Sequence, residues 1–420
     1  MKIAILGSGG REHAIADKIS NSQKLKKLYC IPGNAGTDKL AKNVILDTSN
    51  FEVLRQFIIK NKIDIVIIGP EKPLVEGIVD FLEANNIKVF GPNKQASRLE
   101  GSKIFTKNLC KEYNIPTANF GVFDNSKKAL IFLNQCKFPL VVKADGLAAG
   151  KGVYICDTKK QAVLAVEEIF NGKFGVAKEL LIEEFLTGEE MSFFVISDGK
   201  NIKNFGTAQD HKRVGEKDTG PNTGGMGAYS PSRLENDQLN KKILSKIIYP
   251  TIKALKNLNI EFKGFLYAGL MIINNEPYLI EYNVRMGDPE CQTIFPRLKT
   301  NFFEIVEAVI NENLEKLNLE WSNSKSLSIV QCSKGYPEAY ENNKEINNLD
   351  KIILTDNEYI FHAGTKIHNS KVVSNGGRVL NFVAISNSFK ESRETVLNLI
   401  KKINWKDGFY RKDIGYKVID

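Results

Sequence analysis

The first hundred residues alternate short apolar runs with amphipathic stretches, and this alternation limits the folds that the chain can adopt. The apolar runs are, in order, residues 3–6, 27–31, 63–68 and 88–90, and the helical patterns between them include residues 51–60 and 75–85. Strands that alternate with helices form a parallel sheet, and ligands bind at the carboxyl ends of its strands. The turns Gly7–Gly10, Pro32–Asn34 and Gly69–Glu71 fall at those ends, so we expect a substrate site there.

A second feature is the stretch from Val141 to Gly152, in which a β-branched run delivers Lys143 into a glycine-rich loop. Glycine lets successive backbone N–H groups approach an anion, and Lys143 and Lys151 add positive charge. An ordinary glycine hairpin has the same composition. The stretch therefore predicts phosphate binding only in combination with further features.

Residues 277–290 supply one such feature. Alternation along a strand is expected to place Glu281, Asn283 and Arg285 on one face, which combines two hard oxygen donors with a cation. Mg²⁺ binds one or two protein oxygens and completes its shell with water and phosphate. A solvated polar strand face is the alternative. The preceding strand pattern, residues 264–273, contains no carboxylate, so Glu281 and Asn283 are the predicted metal ligands.

The segment from Gln209 to Tyr229 has the composition of a binding loop. Four polar residues, Asp210 to Arg213, precede a run too rich in glycine for a helix or a strand. Such loops usually serve ligands, although a disordered basic connector is the alternative. The apolar residues Met226 and Tyr229 at the end of the segment favour a packed loop.

These motifs together resemble the glycinamide ribonucleotide synthetase family of the ATP-grasp superfamily. The resemblance runs from Gly7-Ser-Gly-Gly-Arg-Glu-His13 to Arg411-Lys-Asp-Ile-Gly415. It implies an α/β fold with three parts: an N-terminal parallel-sheet (Rossmann-like, pre-ATP-grasp) domain at residues 1–101, ATP-grasp domains at residues 102–325 with a mobile small subdomain at about 120–190, and a small mixed α+β C-terminal domain at residues 326–420. It also implies that ATP drives the ligation of glycine to 5-phosphoribosylamine through glycyl phosphate, with Mg²⁺ or Mn²⁺, in de novo purine biosynthesis.

The resemblance implies site residues one by one. Those that bind ATP are Lys103, Lys143, Gly146, Gly150, Lys151, Gly152, Glu183, Glu184, Phe185, Leu186 and Glu190. Those that bind the small substrates are Gly9, Gly10, Asn34, Glu71, Asp210, Lys212, Arg213, Asn222, Gly224, Gly225, Lys366 and Arg378. Arg285 and Asp210 are the implied catalytic residues, the first stabilising the transferred phosphoryl group and the second orienting an amine. On spacing alone, Lys103, Lys366 and Arg378 would be solvated surface residues.

Other functions are compatible with parts of the sequence. Another ATP-grasp ligase is the nearest alternative, and the Gln209–Tyr229 segment argues against it. A nicotinamide oxidoreductase is suggested by Gly7–Gly10, but the third glycine of G-x-G-x-x-G is missing there, and Lys143 and Glu281 would have no role. A binding-only relative is the third alternative, although every expected charged position is filled. His211, flanked by charged residues, is interpreted as structural or positional rather than as a general base.

Composition gives expectations about the location and the partners of the protein. The net charge of +9 comes from lysines spread along the chain rather than from a stripe interleaved with aromatics, so we expect no nucleic-acid partner. The six cysteines are scattered and predict free thiols in a reducing compartment. No apolar run has the length of a membrane span. We therefore expect a cytoplasmic enzyme without a membrane partner, and either a monomer or a dimer is compatible with the sequence.

Overall fold

An N-terminal parallel sheet opens the structure, a computed structural model that describes residues 1–147, 152–175 and 177–419. Its five strands pair in the order β3-β2-β1-β4-β5 and are all parallel. The strands are β1 (Lys2–Gly7), β2 (Lys27–Pro32), β3 (Lys42–Asn43), β4 (Ile65–Ile68) and β5 (Lys88–Phe90), and the helices are α1 (Gly10–Ser20), α2 (Phe51–Asn61), α3 (Glu71–Glu76), α4 (Ile78–Glu83) and α5 (Lys94–Gly101). The central strands are buried on both faces, as a parallel sheet requires. The predicted parallel sheet is confirmed.

One helical pattern divides into two elements. The sequence predicts a helix over residues 75–85, but α3 ends at Glu76 and α4 begins at Ile78. Gly77 between them has φ of 97°, a left-handed conformation that ends a helix. The chain turns at this glycine, so the single helix is a wrong prediction.

A small antiparallel unit follows and carries the glycine-rich loop. Helix α6 (Lys103–Glu112) leads into it, and the unit itself comprises β6 (Phe120–Phe123), α7 (Ser126–Leu133), β7 (Leu140–Ala144), β8 (Val153–Cys156), α8 (Lys159–Phe170) and β9 (Leu180–Glu184), with strand order β6-β9-β7-β8. Ser102 caps α6 by accepting from the Phe105 amide at 3.1 Å, as its position predicts. The strands of this sheet and helices α7 and α8 enclose an apolar core of their own, from Ala129 to Ile182.

A nine-stranded sheet forms the rest of the molecule. Its main path is β16-β15-β10-β11-β14-β17-β21-β18, and β22 pairs with β17. The strands are β10 (Glu189–Asp198), β11 (Ile202–Asp210), β14 (Gly227–Ser230), β15 (Lys263–Ile273), β16 (Glu276–Asn283), β17 (Lys325–Ser333), β18 (Glu358–His362), β21 (Arg378–Ser386) and β22 (Gly408–Phe409). Two hairpins stand apart from it, β12 (Arg213–Gly215) with β13 (Thr219–Asn222), and β19 (Thr365–His368) with β20 (Lys371–Ser374). The sequence predicts no strand in the glycine-rich run after Arg213, and that prediction is wrong, because β13 and β14 form there by pairing with β12 and with β11 and β17.

Helices cover this sheet and complete the fold. They are α9 (Asp237–Ile243), α10 (Tyr249–Asn257), α11 (Glu290–Ile294), α12 (Phe302–Ile310) and α13 (Phe389–Lys402), with a π-helical turn at Leu244–Ile248 joining α9 to α10. The β14–β17 pairing continues the sheet from the central part of the chain into its C-terminal part. The domain boundaries near residues 101 and 325 stay a prediction. Within the described ranges, no helix has both the length and the apolar run needed to cross a bilayer.

Candidate active site

Two lysines and a glutamate form a buried charge triad beside the end of β7, the strand that leads into the glycine-rich loop. Lys143 on β7 and Lys107 on α6 contact Glu183 on β9 at 3.0 and 3.1 Å. Lys143 pairs with Leu181 in the β7–β9 register, so Glu183 lies diagonally from it on the same face. All three charged side chains are buried. Two ammonium groups around one carboxylate leave a net positive charge, which suits a phosphate-binding site.

Lys103 lies beside the triad at the start of α6. Its Nζ donates to the Gly146 carbonyl at 2.7 Å, and Asp145 accepts from the Ser102 hydroxyl at 3.1 Å. Burial lowers the pKa of Lys103, whereas the nearby Glu281 carboxylate opposes that shift. Gly152 closes the loop through its carbonyl, which accepts from the Ala144 amide at 2.8 Å. The predicted ligands Gly150 and Lys151 lie outside the described residues.

The predicted ATP ligands at the end of β9 and just after it lie at the protein surface, unlike the buried Glu183. Glu184 ties back to Asn119, accepting from its backbone amide at 2.9 Å and its side-chain amide at 3.0 Å. Phe185 is exposed and Leu186 half-buried. The backbone of this stretch is therefore held at the rim of the small antiparallel unit, as an adenine-binding segment would need.

Arg285 lies beyond the strand that was expected to carry it. β16 ends at Asn283, so strand alternation does not place Arg285 on the face of Glu281. Its guanidinium nevertheless returns to that face, with Nη2 3.0 Å from Asn283 Oδ1 and 2.7 Å from Glu100 Oε1. Its Nε is 3.4 Å from Glu71 Oε2. Two carboxylates from the N-terminal part of the chain thus fix this arginine beside the predicted metal ligands.

An acidic cluster surrounds Asp210, the last residue of β11. Lys212 donates to Glu190 Oε2 at 2.6 Å, and Glu290 Oε1 accepts from the Tyr267 hydroxyl at 3.0 Å. Burial raises the pKa of Asp210, Lys212 opposes the shift, and the carboxylates of Glu290 and Glu190 add to it. A carboxylate that its neighbours destabilise gains strongly from a bound cation. The cluster therefore suits an ammonium group.

Arg378 gathers several predicted substrate residues at a second edge of the site. Its Nη1 donates to the carbonyls of Gly224 and Asp288, each at 2.6 Å. The Asp288 carboxylate also accepts from the Arg11 amide at 3.2 Å, at the start of α1. Gly9, which caps α1, and Gly10 lie in the same turn. Burial opposes the shift, but Arg378 and Arg11 hold the pKa of Asp288 below its usual value.

Asn34 joins the N-terminal sheet to the C-terminal part of the chain. Its Nδ2 donates to the carbonyls of Ser8 at 2.9 Å and His362 at 2.8 Å, and its Oδ1 accepts from the Gly36 amide at 2.9 Å. The His362 amide in turn donates to His13 Nδ1 at 2.8 Å. A Cβ at Gly36 would clash with both imidazoles, so glycine permits this close approach. The Asn34 amide group is used within the protein, and its predicted substrate contact stays a prediction.

We expect this histidine junction to make stability depend on pH. Burial, assisted by Lys39, lowers the pKa of His13 to about 3, so the folded protein binds its proton less readily than the unfolded chain. Stability should therefore fall as pH drops below about 6.5 and continue to fall towards pH 3, by ~2 kcal/mol at pH 5 from this group. Urea unfolding between pH 5 and 8 measures the effect.

A matched pair of variants tests that assignment. The His13→Gln protein keeps a side-chain acceptor for the His362 amide and should lose part of the pH dependence. His368→Gln removes an exposed histidine and should leave the dependence unchanged. Equal pH dependence in His13→Gln and the parent protein would contradict the prediction.

Three predicted substrate residues have no described contact with the Asp210 cluster or with Arg378; they are Arg213, Asn222 and Lys366. Arg213 pairs with Asn222 across the β12–β13 hairpin, and its Nη1 donates to the Gly220 carbonyl at 2.7 Å. Lys366 lies on β19 opposite Val373, and within the described residues its ammonium group has no hydrogen bond or ion pair. Their roles stay predictions.

The structure adds four charged residues that the sequence prediction omitted. Lys107 lies one helical turn after Lys103, and that i, i+4 spacing was a usable signal. Asp288 and Glu290 belong to the 277–290 stretch already singled out, whereas Glu100 precedes Ser102 without any local pattern. Long-range packing alone reveals that Glu100 reaches Arg285.

Family models match almost the whole chain. The N domain of phosphoribosylglycinamide synthetase matches residues 1–100, its ATP-grasp (A) domain matches residues 101–291, and its C domain matches residues 326–417. The phosphoribosylamine–glycine ligase of Mesorhizobium japonicum is 46% identical over 420 residues, covering 100% of this chain and 99% of that protein. The ligase of the same name from Brucella melitensis is 44% identical over 421 residues, with the same coverage of 100% and 99%.

Solved structures agree with these matches. Phosphoribosylamine–glycine ligase from Thermotoga maritima superposes with a TM-score of 0.87 at 33% identity, covering 99% of this chain and 100% of that one. Biotin carboxylase from Campylobacter jejuni gives a TM-score of 0.73 at 16% identity over 97% of this chain and 92% of that one, a likeness of fold alone. The predicted α/β ATP-grasp architecture is confirmed. The chain belongs to the phosphoribosylglycinamide synthetase family.

Proposed function

We propose that this protein is an ADP-forming ligase that joins glycine to 5-phosphoribosylamine at the expense of ATP, giving glycinamide ribonucleotide and phosphate in de novo purine biosynthesis. The ion pair between Glu190 and Lys212, at 2.6 Å, carries the proposal. It connects the predicted ribose contact of the nucleotide to the loop that holds Asp210. The predicted nucleotide-binding region is thereby in contact with the predicted ammonium-binding region, as such a ligase needs.

The chemistry requires positioning and positive charge more than a protein nucleophile. A glycine carboxylate oxygen attacks the γ-phosphorus of ATP, and the bond to the β–γ bridging oxygen breaks to release ADP. The amine nitrogen of phosphoribosylamine then attacks the carbonyl carbon of glycyl phosphate, losing a proton as inorganic phosphate leaves. Lys103 and Lys143 hold the phosphates, and Arg285 stabilises the negative charge on the transferred group.

Asp210 and Glu290 are suited to hold the ammonium or amine group. Their mutual repulsion is relieved when a cation binds between or beside them, so the pair favours the charged end of glycine over a neutral ligand. Tyr267 donates to Glu290 at 3.0 Å and keeps that carboxylate in one orientation. Holding both ends of glycine brings its carboxylate to the phosphates without an activating base.

A divalent metal fits the donors that this chain provides. Within the described residues no three carboxylate, histidine or thiol groups form a metal cluster. Mg²⁺ bound to a nucleotide needs only one or two protein oxygens, and Glu281 with Asn283 offers that number. Mg²⁺ or Mn²⁺ held there would neutralise phosphate charge. Arg285 and Lys103, which approach the same pair, then stabilise the remaining charge.

Exchanging Glu281 for glutamine is expected to raise the half-saturating Mg²⁺ concentration about tenfold or more, because a neutral amide is a weaker ligand for a hard cation. ADP release at increasing Mg²⁺ measures this. Glu276→Gln, at the far end of the same strand, is the matched control and should leave the value unchanged. A Glu281→Gln enzyme with the parent's Mg²⁺ dependence would remove Glu281 from the metal site.

The separate core of the small antiparallel unit supports closure over ATP. An acyl phosphate hydrolyses in water, so the site must exclude solvent during the reaction. We propose that this unit, about residues 120–190, moves as a body. The described cysteines are free, as a cytoplasmic setting would require.

One assay tests the proposed function. The protein is mixed with ATP, Mg²⁺, glycine and freshly prepared phosphoribosylamine, and ADP release is followed with each component omitted in turn. ADP release should require all of them for full rate, and glycinamide ribonucleotide should appear in equal amount. Release that ignores glycine, or that occurs with a different carboxylate instead, would favour another ATP-grasp ligase activity.

A further inference from the structure

The end of the chain packs against the loop that holds Asp210, and a buried arginine links the two. Arg411 is 1% exposed and binds Asp413 through Nε and Nη2 at 2.9 and 2.8 Å. Its Nη1 reaches across to the loop, donating to Asp218 Oδ1 at 2.8 Å and to the Arg213 carbonyl at 2.9 Å. A guanidinium that is buried and bound to two carboxylates holds its partners in one geometry.

His211 supplies a second link between the loop and the chain end. The Gly415 amide donates to His211 Nε2 at 3.1 Å, so this nitrogen carries no proton. The proton of the neutral ring then lies on Nδ1, which is 3.4 Å from Asp218 Oδ1 and can donate to it. Tyr416 adds a third contact, donating from its hydroxyl to Asp218 Oδ2 at 2.9 Å. Asp218 is therefore bound by Arg411, His211 and Tyr416 together.

Two residues of the loop have a strained backbone conformation. Lys217 and Asp218 are successive non-glycine residues, each with φ of 54°. Left-handed backbone is unfavourable for lysine in particular, and it persists only where the surroundings enforce it. The Lys217 amide donates to Asp413 Oδ2 at 2.7 Å, so the same carboxylate that binds Arg411 also fixes the strained residue.

The anchored residues alternate with residues that face the active site. His211 is held by the chain end, whereas its neighbours Asp210 and Lys212 belong to the cluster of Glu190 and Glu290. Freeing His211 and Asp218 would let the flanking side chains shift, and a displacement of about 1 Å can lower a rate 100-fold.

We propose that the segment Arg411–Tyr416 positions the Asp210–Asp218 loop for the small substrates, with Arg411 and Asp218 as positioning residues. The proposal rests on the ligase function given above. Neither residue contacts the reacting atoms; they act through His211 and the loop backbone. The phosphates of the nucleotide are held by the lysines of α6 and β7, and only its predicted ribose contact, Glu190, touches the loop through Lys212. The binding of ATP should therefore depend on this segment less than the binding of the small substrates does.

Steady-state kinetics of the full-length protein separate positioning from general damage. In Arg411→Ala we expect kcat/KM for glycine, for phosphoribosylamine or for both to fall about 10- to 100-fold, with KM for ATP within about twofold of the parent value. Arg411→Lys keeps the charge without the forked geometry and should recover part of the loss. Tyr416→Phe removes one hydrogen bond at an exposed position and should show the same pattern more weakly.

Arg393→Ala is the matched control. Arg393 donates to the Lys412 carbonyl at 3.0 Å and so supports the same segment without touching the loop. It should leave all three kinetic constants unchanged. A parallel change in all three constants in Arg411→Ala, no change in any of them, or the same selective loss in Arg393→Ala would overturn the proposal.

Amide hydrogen exchange gives a readout that needs no turnover. Peptides covering residues 211–223 should exchange about tenfold faster in Arg411→Ala than in Arg393→Ala, with a smaller increase in Tyr416→Phe. In Arg411→Ala, Asp218 loses a partner and Asp413, which accepts from the Lys217 amide, loses the guanidinium that fixes it, whereas Tyr416→Phe removes one hydrogen bond from Asp218. If exchange over residues 211–223 in the folded Tyr416→Phe protein and in the Arg411→Lys protein both equals that of the parent protein, the proposal is also overturned. An inactive parent protein would refute the ligase function, yet this exchange experiment would still decide whether the chain end fixes the loop.

Discussion

Replacing Arg285 with lysine is expected to lower kcat roughly 100- to 1,000-fold and to leave KM for ATP within about threefold. The arginine binds Glu100 and Asn283 through one Nη2 atom and approaches Glu71 through Nε. A lysine carries the same charge on a single nitrogen and cannot keep these three partners while facing a phosphoryl group. The loss should therefore fall on the transition state, where the transferred group carries most of its negative charge.

The measurement is ADP release under saturating substrates, followed by single-turnover reactions that separate phosphoryl transfer from product release. Arg98→Lys is the matched control, since Arg98 is an exposed arginine on α5, two residues before Glu100. It should retain the parent's kcat. An Arg285→Lys enzyme with full kcat would show that the guanidinium takes no part in phosphoryl transfer.

Replacing Lys143 with methionine is expected to lower kcat/KM for ATP roughly 100-fold, because a charged donor to phosphate is lost while the length of the side chain is kept. The loss should appear mainly in KM for ATP and less in the constants for glycine. This distribution would be the opposite of that expected for Arg411→Ala. ATP titrations at fixed glycine and phosphoribosylamine measure it.

Lys107→Met separates the contribution of the charge triad to ATP binding from its contribution to stability. It removes the other ammonium group from Glu183, yet Lys107 is only 2% exposed and lies on α6, whereas Lys143 lies on the strand that leads into the glycine-rich loop. We expect Lys107→Met to lower the free energy of unfolding, because Glu183 is left with one partner, and to change KM for ATP less than Lys143→Met does. Equal effects on ATP binding in both variants would mean that Lys143 acts only through Glu183.

The sequence was most informative where periodicity or a short motif determined the outcome. The Ser102 cap and the β15–β16 hairpin follow from local patterns that neighbouring residues satisfy among themselves, and the parallel sheet follows from the alternation of strand and helix patterns along the chain. Gly77 shows the limit of such patterns, since its apolar surroundings look helical while its own backbone adopts φ of 97°.

Site geometry depended on residues far apart in the chain. Glu183 lies forty positions from Lys143, and Glu100 lies even further from Arg285, so no spacing rule could pair them. Arg285 was expected on the strand face and instead returns to it from the bend beyond Asn283. Motif resemblance identified the charged residues, but only the packed structure shows which opposite charges hold each of them in place.

The pairing of β14 with β17 limits where the protein can be truncated. A fragment that stops at residue 325 would leave the four residues of β14 as an open sheet edge, with their backbone N–H and C=O groups unmatched on one side. Such an edge recruits other chains, so the fragment would tend to self-associate or aggregate rather than behave as a free-standing catalytic module. The residues after 325 thus cover a sheet edge that β14 would otherwise expose to other chains.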